Sequence, residues 1–359
     1  MSARVSPLRT RLPRSKADII PRVTISDIAV RAGLSNGAVS YALNNKPGVS
    51  EDTRARVLAI AQELGWTANY AARSLSTSHA DAIGLVLARP ARMLGLEPFY
   101  MEFIAGVEAT IAPEGISLML HVVADIADEI QAYERWWAQG RVDGVLLVDL
   151  STDDPRPQEA HRIGIPAVCV SSTDAAGGLP HVWSDDDSAT RDALRYLVRL
   201  GHRRIARVGG IPTLSHTQLR NAAFREVAAE ANLVDWSIIN TDYSGEDGAR
   251  ATRSLLTSRV PPTAILYDND IMAVAGLGVA SELGVRVPSE LSLMAWDDSA
   301  ICEITHPPLS AMKRDVPALG AVAARLLMRV IDGDNPVSLP GPLAKLVPRG
   351  STSSLLRLN

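Results

Sequence analysis

Cysteine is almost absent: Cys169 and Cys302 are the only two in 359 residues, and one distant pair supports neither a disulfide framework nor a CxxC-type metal cluster. That scarcity fits a reducing, cytoplasmic setting. Long apolar runs are missing too. Every apolar stretch is cut by charge or glycine within about ten residues, well short of the roughly 18 that a membrane span needs. The first 22 residues carry Arg4, Arg9, Arg11, Arg14, Lys16 and Arg22 but no apolar core of signal-peptide type, so they read as a disordered basic arm. Catalytic signatures are also lacking: the chain has no GxSxG, HExxH or GxxxxGK[ST]. The GLGVAS stretch around Gly276 and Gly278 wants a third glycine and falls inside a predicted helix, so it is no dinucleotide fingerprint. Seven histidines are scattered without metal-ligand spacing, and His202 reads as a helix-end residue. No cofactor and no metal are expected, and an enzyme acting on sugars or phosphates is the weaker reading.

What is present is modular. At 359 residues, 47% of them apolar and 4% aromatic, the chain has material for two or three cores. The net charge of −4 hides an asymmetry: residues 1–80 hold 11 basic and 5 acidic side chains, and the remainder 25 and 35. A polyanion-binding head on an acidic body follows from that split. From Val23 to about Leu64 the pattern is helical, with breaks at Gly33 and at 44–49, which predicts three short helices. Thr24 stands as N-cap of the first with Asp27 in the capping-box position, and Ser50 caps the third. After Asp81, apolar runs at 82–88, 116–123, 143–150, 165–172, 204–210, 263–268 and 291–298 alternate with helix-length amphipathic stretches. That alternation indicates parallel sheets covered on both faces, and its length predicts two similar lobes with a cleft between them.

In TISDIAVRAGLSNGAVSYALN (24–44), Ala29, Gly33 and Val39 stand at the offsets of a helix-turn-helix. Alanine permits close helix approach, glycine takes the turn, and valine closes a small core. If the second helix enters a major groove, Asn36, Gly37 and Tyr41 are its candidate base-reading positions. Asparagine can pair bidentately with adenine, and tyrosine offers a ring and a hydroxyl. Ser35, Ser40 and Asn44, with Thr24, Ser50 and Thr53, are candidate phosphate contacts. An ordinary αα-corner, with Tyr41 packed on its surface, is the alternative for this segment taken alone.

The run from Val23 to Leu87 resembles the LacI/GalR family of bacterial regulators in order, spacing and residue type. The family typically has Thr and Arg where this chain has Ala38 and Tyr41, so its operator sequence is expected to differ. The resemblance implies a hinge helix at residues 69–75, with Leu75 the minor-groove wedge and Arg73 beside it. It continues through RYLVRLGHRRIARVGG (195–210), AILYDNDIMAVAGLGVASELGVRVPSELSLMAWDDSA (264–300) and HPPLSAMKRDVPALGAVAARLL (306–327). The implied fold is an all-α, lambda-repressor-like helix-turn-helix head and an α/β periplasmic-binding-protein-like body of two doubly wound parallel-sheet lobes. The implied domains are residues 1–22 as arm, 23–67 as head, 68–80 as hinge, 81–350 as effector-binding and dimerisation body, and 351–359 as tail.

By the same resemblance, Arg220, Asn269 and Asp297 match the family's ligand contacts. Such a set of donors and acceptors suits the vicinal hydroxyls of a sugar or polyol. Each has a structural alternative, Arg220 as the partner of an acid and the neighbouring Asp270 or Asp298 as helix caps. Trp183, Asp185, Asp186 and Trp296 are expected to line the same cleft, with aromatic faces stacking on sugar rings, and Phe99 and Tyr100 to border it. The functional expectation is a cytoplasmic, nucleoid-associated repressor binding a near-palindromic double-stranded operator as a homodimer, with a small-molecule effector and no membrane partner. A secreted solute-binding protein would share the body but has no need of the N-terminal helices.

Overall fold

The computed structural model describes residues 23–66, 79–90, 95, 97–336 and 338–355. The expected basic arm at 1–22 and the expected hinge residues Leu75 and Arg73 lie outside them. The chain divides into two units, Met1–Thr77 and Ser78–Asn359.

The first unit is built on α1 (Ile25–Ala32), α2 (Asn36–Leu43) and α3 (Glu51–Glu63). Local chemistry sets each boundary. The Thr24 hydroxyl accepts the Asp27 N–H while the Asp27 carboxylate accepts the Thr24 N–H at 2.7 Å, a complete capping box. Gly33 ends α1 at φ 66°, a conformation that a side chain opposes. Ser35 and Ser50 cap α2 and α3 by accepting the N–H of Ala38 and of Thr53. Ile28, Ala29, Val39, Ala42, Val57 and Ala61 close the core. Burying Val39 and Ala42 leaves Asn36, Gly37, Tyr41 and Asn44 exposed on α2 and the turn after it.

The second unit holds two six-stranded sheets. In chain order the first lobe contributes β1 (Ala82–Ala88), α4 (Pro98–Ile111), β2 (Ser117–Val123), α5 (Ile126–Ala138), β3 (Gly144–Leu147), α6 (Arg156–Ile163), β4 (Ala167–Val170) and β5 (His181–Trp183). The second contributes α7 (Asp186–Arg199), β6 (Arg204–Gly209), α8 (Ser215–Glu230), β7 (Asp235–Asn240), α9 (Gly245–Leu256), β8 (Ala264–Tyr267), α10 (Asp270–Glu282), β9 (Ser292–Asp297), α11 (Ala300–Ile304) and β10 (Ser310–Lys313). The chain then returns to the first lobe for α12 (Val316–Ile331) and β11 (Leu339–Pro340) and ends in the second with β12 (Lys345–Val347). Strand orders are β11-β5-β4-β3-β1-β2 and β12-β10-β9-β8-β6-β7, parallel except for β12 against β10.

Three passages therefore link the lobes, after β5, after β10 and after β11. Each sheet is covered on both faces, which is why its central strands read as unbroken apolar runs. In the first lobe α4 and α12 cross with no room between them: a Cβ on Gly106 would lie 1.9 Å from the Pro317 carbonyl oxygen. Parallel strands direct their carboxyl ends to one edge, and here residues at those edges of both lobes line one cleft.

Candidate functional site

The cleft is assembled largely from residues that follow a strand. Arg89 follows β1, Asp149 follows β3, Ser171 follows β4, Asp268 follows β8, and Asp297 ends β9. Asp186, at the first turn of α7, and Arg314, just after β10, enter from two of the crossings. Asp149 and Asp297 take φ of 53° and 82°, a left-handed backbone that aspartate tolerates better than most residues.

Two charge networks face each other. On the first lobe Arg89 donates to Asp149 at 2.8 Å, and the Tyr100 hydroxyl donates to the same carboxylate. Burial alone would raise the Asp149 carboxyl, but Arg89, aided by His216 and the Tyr100 hydrogen bond, brings it down to about 2. On the second lobe Arg220 pairs with Asp186 at 2.8 Å and with Asp268 at 3.3 Å. Beneath them Arg207 binds Asp268 at 2.7 Å, wholly buried. Against the desolvation that raises it, Asp186 is lowered to about 2 by Arg220 and Arg314. His216, whose Nε2 lies 2.7 Å from the Tyr243 hydroxyl, is pushed down to about 4 by burial and by Arg220, so it is neutral at pH 7. Glu97 moves the other way: burial and the neighbouring Asp149 carry it up to about 8.

One pair is left incomplete. Asp297 Oδ1 and Arg314 Nε are 3.3 Å apart, yet neither atom makes a hydrogen bond among the described residues. Both atoms are buried and face each other as an ion pair without a hydrogen bond, so the pair has bonding capacity left over beside the cleft that both residues line. The cleft's arginines are otherwise engaged: among the described lining residues, Arg89, Arg220 and Arg314 each already face a carboxylate.

The structure brings Arg220, Asp297, Phe99, Tyr100 and Asp186 together in the cleft. It corrects four of the expected assignments. Trp296 is fully buried at 0% exposure, and its ring carries the Arg220 guanidinium 4.1 Å from the centroid, so it supports an arginine and offers no face to a ligand. Asn269 caps α10 by accepting the Met272 N–H and donates to the Tyr243 carbonyl, committing both ends of its amide inside the protein. Trp183 on β5 is partly exposed but does not line the cleft, and Asp185 caps α7 by accepting the Ser188 N–H. Sequence reading missed Arg89, Glu97, Asp149, His216, Tyr243 and Arg314. The strand-end rule carried a signal for two of them, since Arg89 directly follows the run at 82–88 and Asp149 stands near the end of the run at 143–150.

In the head, Asn36 donates to the Ser26 hydroxyl at 3.1 Å, bracing α2 against α1, and Tyr41 is 48% exposed. Ser35, Ser50 and Thr24 serve as helix caps, Thr53 meets Ser50 at 2.8 Å, and the Asn44 amide donates to the Ser40 carbonyl at 2.9 Å.

Sequence and structure comparisons agree with this architecture. Residues 24–69 match the family described as "Bacterial regulatory proteins, lacI family", and residues 194–352 match "Periplasmic binding protein-like domain". The chain is 31% identical over 324 residues to the HTH-type transcriptional regulator CelR of Thermobifida fusca, covering 87% of this chain and 93% of that protein. A lac repressor dimer bound to operator and the anti-inducer ONPF has a TM-score of 0.81 at 25% identity, over 93% of this chain and 100% of that one. A CelR–cellobiose complex has a TM-score of 0.69 at 28% identity, over 92% and 100%.

Proposed function

Since the chain belongs to the lacI family of bacterial regulatory proteins and is a DNA-binding transcriptional regulator, we propose that it is a repressor that binds a near-palindromic operator as a homodimer and is controlled by a neutral sugar or polyol in the interlobe cleft. The observation that carries this reading is the meeting of two strand-end edges in a cleft lined by Asp297 and Arg314, an ion pair without a hydrogen bond whose leftover capacity suits a hydroxyl. The related CelR is complexed with cellobiose and the related lac repressor with operator. On the DNA side, α2 exposes Asn36, Gly37 and Tyr41 from a rigid three-helix core, and the exposed Ser35, Asn44 and Ser50 with the half-buried Ser40 and Thr53 are suited to phosphates. On resemblance alone, Leu75 wedges into the minor groove beside Arg73. Wedging costs a few kcal/mol of unstacking, which a bent and better-wrapped site offsets.

Two features support a second copy of the chain. The edge strands β2 and β7 have no partner on their outer sides among the described residues, and they leave Leu120 and Trp236 43% and 42% exposed. Apolar edges of that kind are normally covered. Charge supports a neutral effector, because a phosphate would need an arginine free of its carboxylate.

Regulation follows from geometry. A ligand that bridges Asp297 on one lobe and the Arg89–Asp149 pair on the other favours one lobe arrangement over the other, and it shifts the population by its difference in affinity for the two. The test is to titrate full-length protein on a selected operator duplex with cellobiose, maltose and simple monosaccharides. At least one neutral sugar is expected to change operator affinity by about 5- to 150-fold. If every sugar leaves it unchanged while operator binding is specific, the effector reading is wrong.

A further inference from the structure

We propose that Asp270, which lines no part of the cleft, is the positioning residue that aims Asp297 into it. The proposal rests on the reading of Asp297 as an effector contact. Asp297 and Asp298 are consecutive non-glycine residues with φ of 82° and 65°. Two left-handed residues in succession persist only where surrounding groups over-determine them. The group that does so is the Asp270 carboxylate, at the first turn of α10 and 2% exposed. It accepts the Ser299 N–H at 2.7 Å, the Asp298 N–H at 3.3 Å and the Cys302 thiol at 3.1 Å.

Asp270 is free for this task because Asn269 caps the helix in its place, accepting the Met272 N–H. From the other side Arg349, just after β12, grips the Asp298 carboxylate with both terminal nitrogens and donates to the Leu309 carbonyl at 2.9 Å. The turn is thus clamped through its amides by Asp270 and through its side chain by Arg349. The consequence appears one residue earlier, where the Asp297 carboxylate is held at the cleft beside Arg314 with no hydrogen bond to Oδ1 among the described residues. Burial raises the Asp297 carboxyl above its ordinary value although Arg314 and Arg220 lower it.

The test is Asp270→Asn in the full-length protein without ligand. An asparagine presents one acceptor and one donor where the wild type presents two acceptors, so one backbone amide loses its partner. The expected result is at least a tenfold rise in amide hydrogen exchange at Asp298 or Ser299; the Asp297 carboxyl titration, followed by 13C NMR, is read in Asp270→Glu, because deleting the Asp270 charge lowers it wherever Asp297 points. Asp270→Glu keeps both acceptors but displaces them by one methylene. It is expected to raise the same exchange less and to move the Asp297 titration downward toward that of an ordinary aspartate, and it keeps the test open should Asn not fold. Asp185→Ala, which removes the cap of α7, serves as the control for a merely structural loss and leaves the Asp297 titration in place. Unchanged exchange and unchanged Asp297 titration in the Asp270 variants would overturn the proposal. Because both readouts are ligand-free, they decide it independently of the effector reading, which Asp297→Asn in the sugar titration tests separately.

Discussion

Arg220 holds two carboxylates and lies over an indole, all inside the protein. Replacing it with methionine keeps the bulk and removes the charge. A buried ion pair that loses one partner costs about 3–5 kcal/mol; here Asp186 keeps Arg314 and Asp268 keeps Arg207, so the expected loss for Arg220→Met is at the low end, about 3 kcal/mol by urea unfolding at pH 7. The effector response should vanish while operator affinity without effector stays. His202 gives a pH test. Burial lowers its pKa from 6.5 to about 4, where it joins Thr263, Ser292 and the Ser353 carbonyl. The unfolded chain binds the proton more readily, so this contribution is complete above pH 6.5 and is lost as pH falls toward 4. Wild type and His202→Gln should therefore differ in the slope of stability against pH over that window, by up to roughly 3 kcal/mol at its acid end. Parallel slopes would show that the imidazole titrates normally. Individual roles were partly legible. Arg220 and Asp297 came from the family resemblance, but Trp296 misled, because a tryptophan beside two aspartates reads as a stacking platform and nothing local shows that Arg220, 76 positions earlier, covers its face.

Elements were easier to read than contacts. The run at 82–88 became β1 with the same bounds, since a central parallel strand is apolar on both faces. The strands β5, β10 and β11 were not read, because they are two to four residues long and no apolar run sets them off from their surroundings. Nor was β7, an edge strand that mixes polar and apolar residues. The glycines give a test at this scale. Gly320 on α12 would place a Cβ 2.2 Å from the Phe103 carbonyl oxygen, and Gly106 is equally blocked, so Gly106→Ala or Gly320→Ala must push the helices apart at a cost of about 3 kcal/mol. Gly278, exposed on α10, has open space where a methyl group would stand, with no described atom within 4 Å, so Gly278→Ala should stabilise by about 0.5–1 kcal/mol. Chemical denaturation of the three variants checks both signs; a stabilising Gly106→Ala would contradict the close helix crossing.

For the whole molecule, the two-part organisation was legible because head and body differ in period and in charge. The cleft between two lobes was legible too, but part of its lining was not, because three crossings join its walls and bring Arg89, Asp149 and Arg314 together from distant parts of the chain. The charge pairing of those walls predicts selectivity. A neutral sugar that releases operator should lose at least tenfold in affinity when phosphorylated, as calorimetry would show, and tighter binding of the phosphate would contradict the paired-arginine account. The central claim is that α2 reads duplex sequence in pairs. The most direct measurement is selection of bound duplexes from a random pool by the full-length protein at about 0.15 M salt, where nonspecific phosphate contacts are weakened. The account predicts enrichment of one near-palindromic site bound at least about 10³-fold tighter than unrelated duplex. A pool that emerges without any enriched sequence would contradict it.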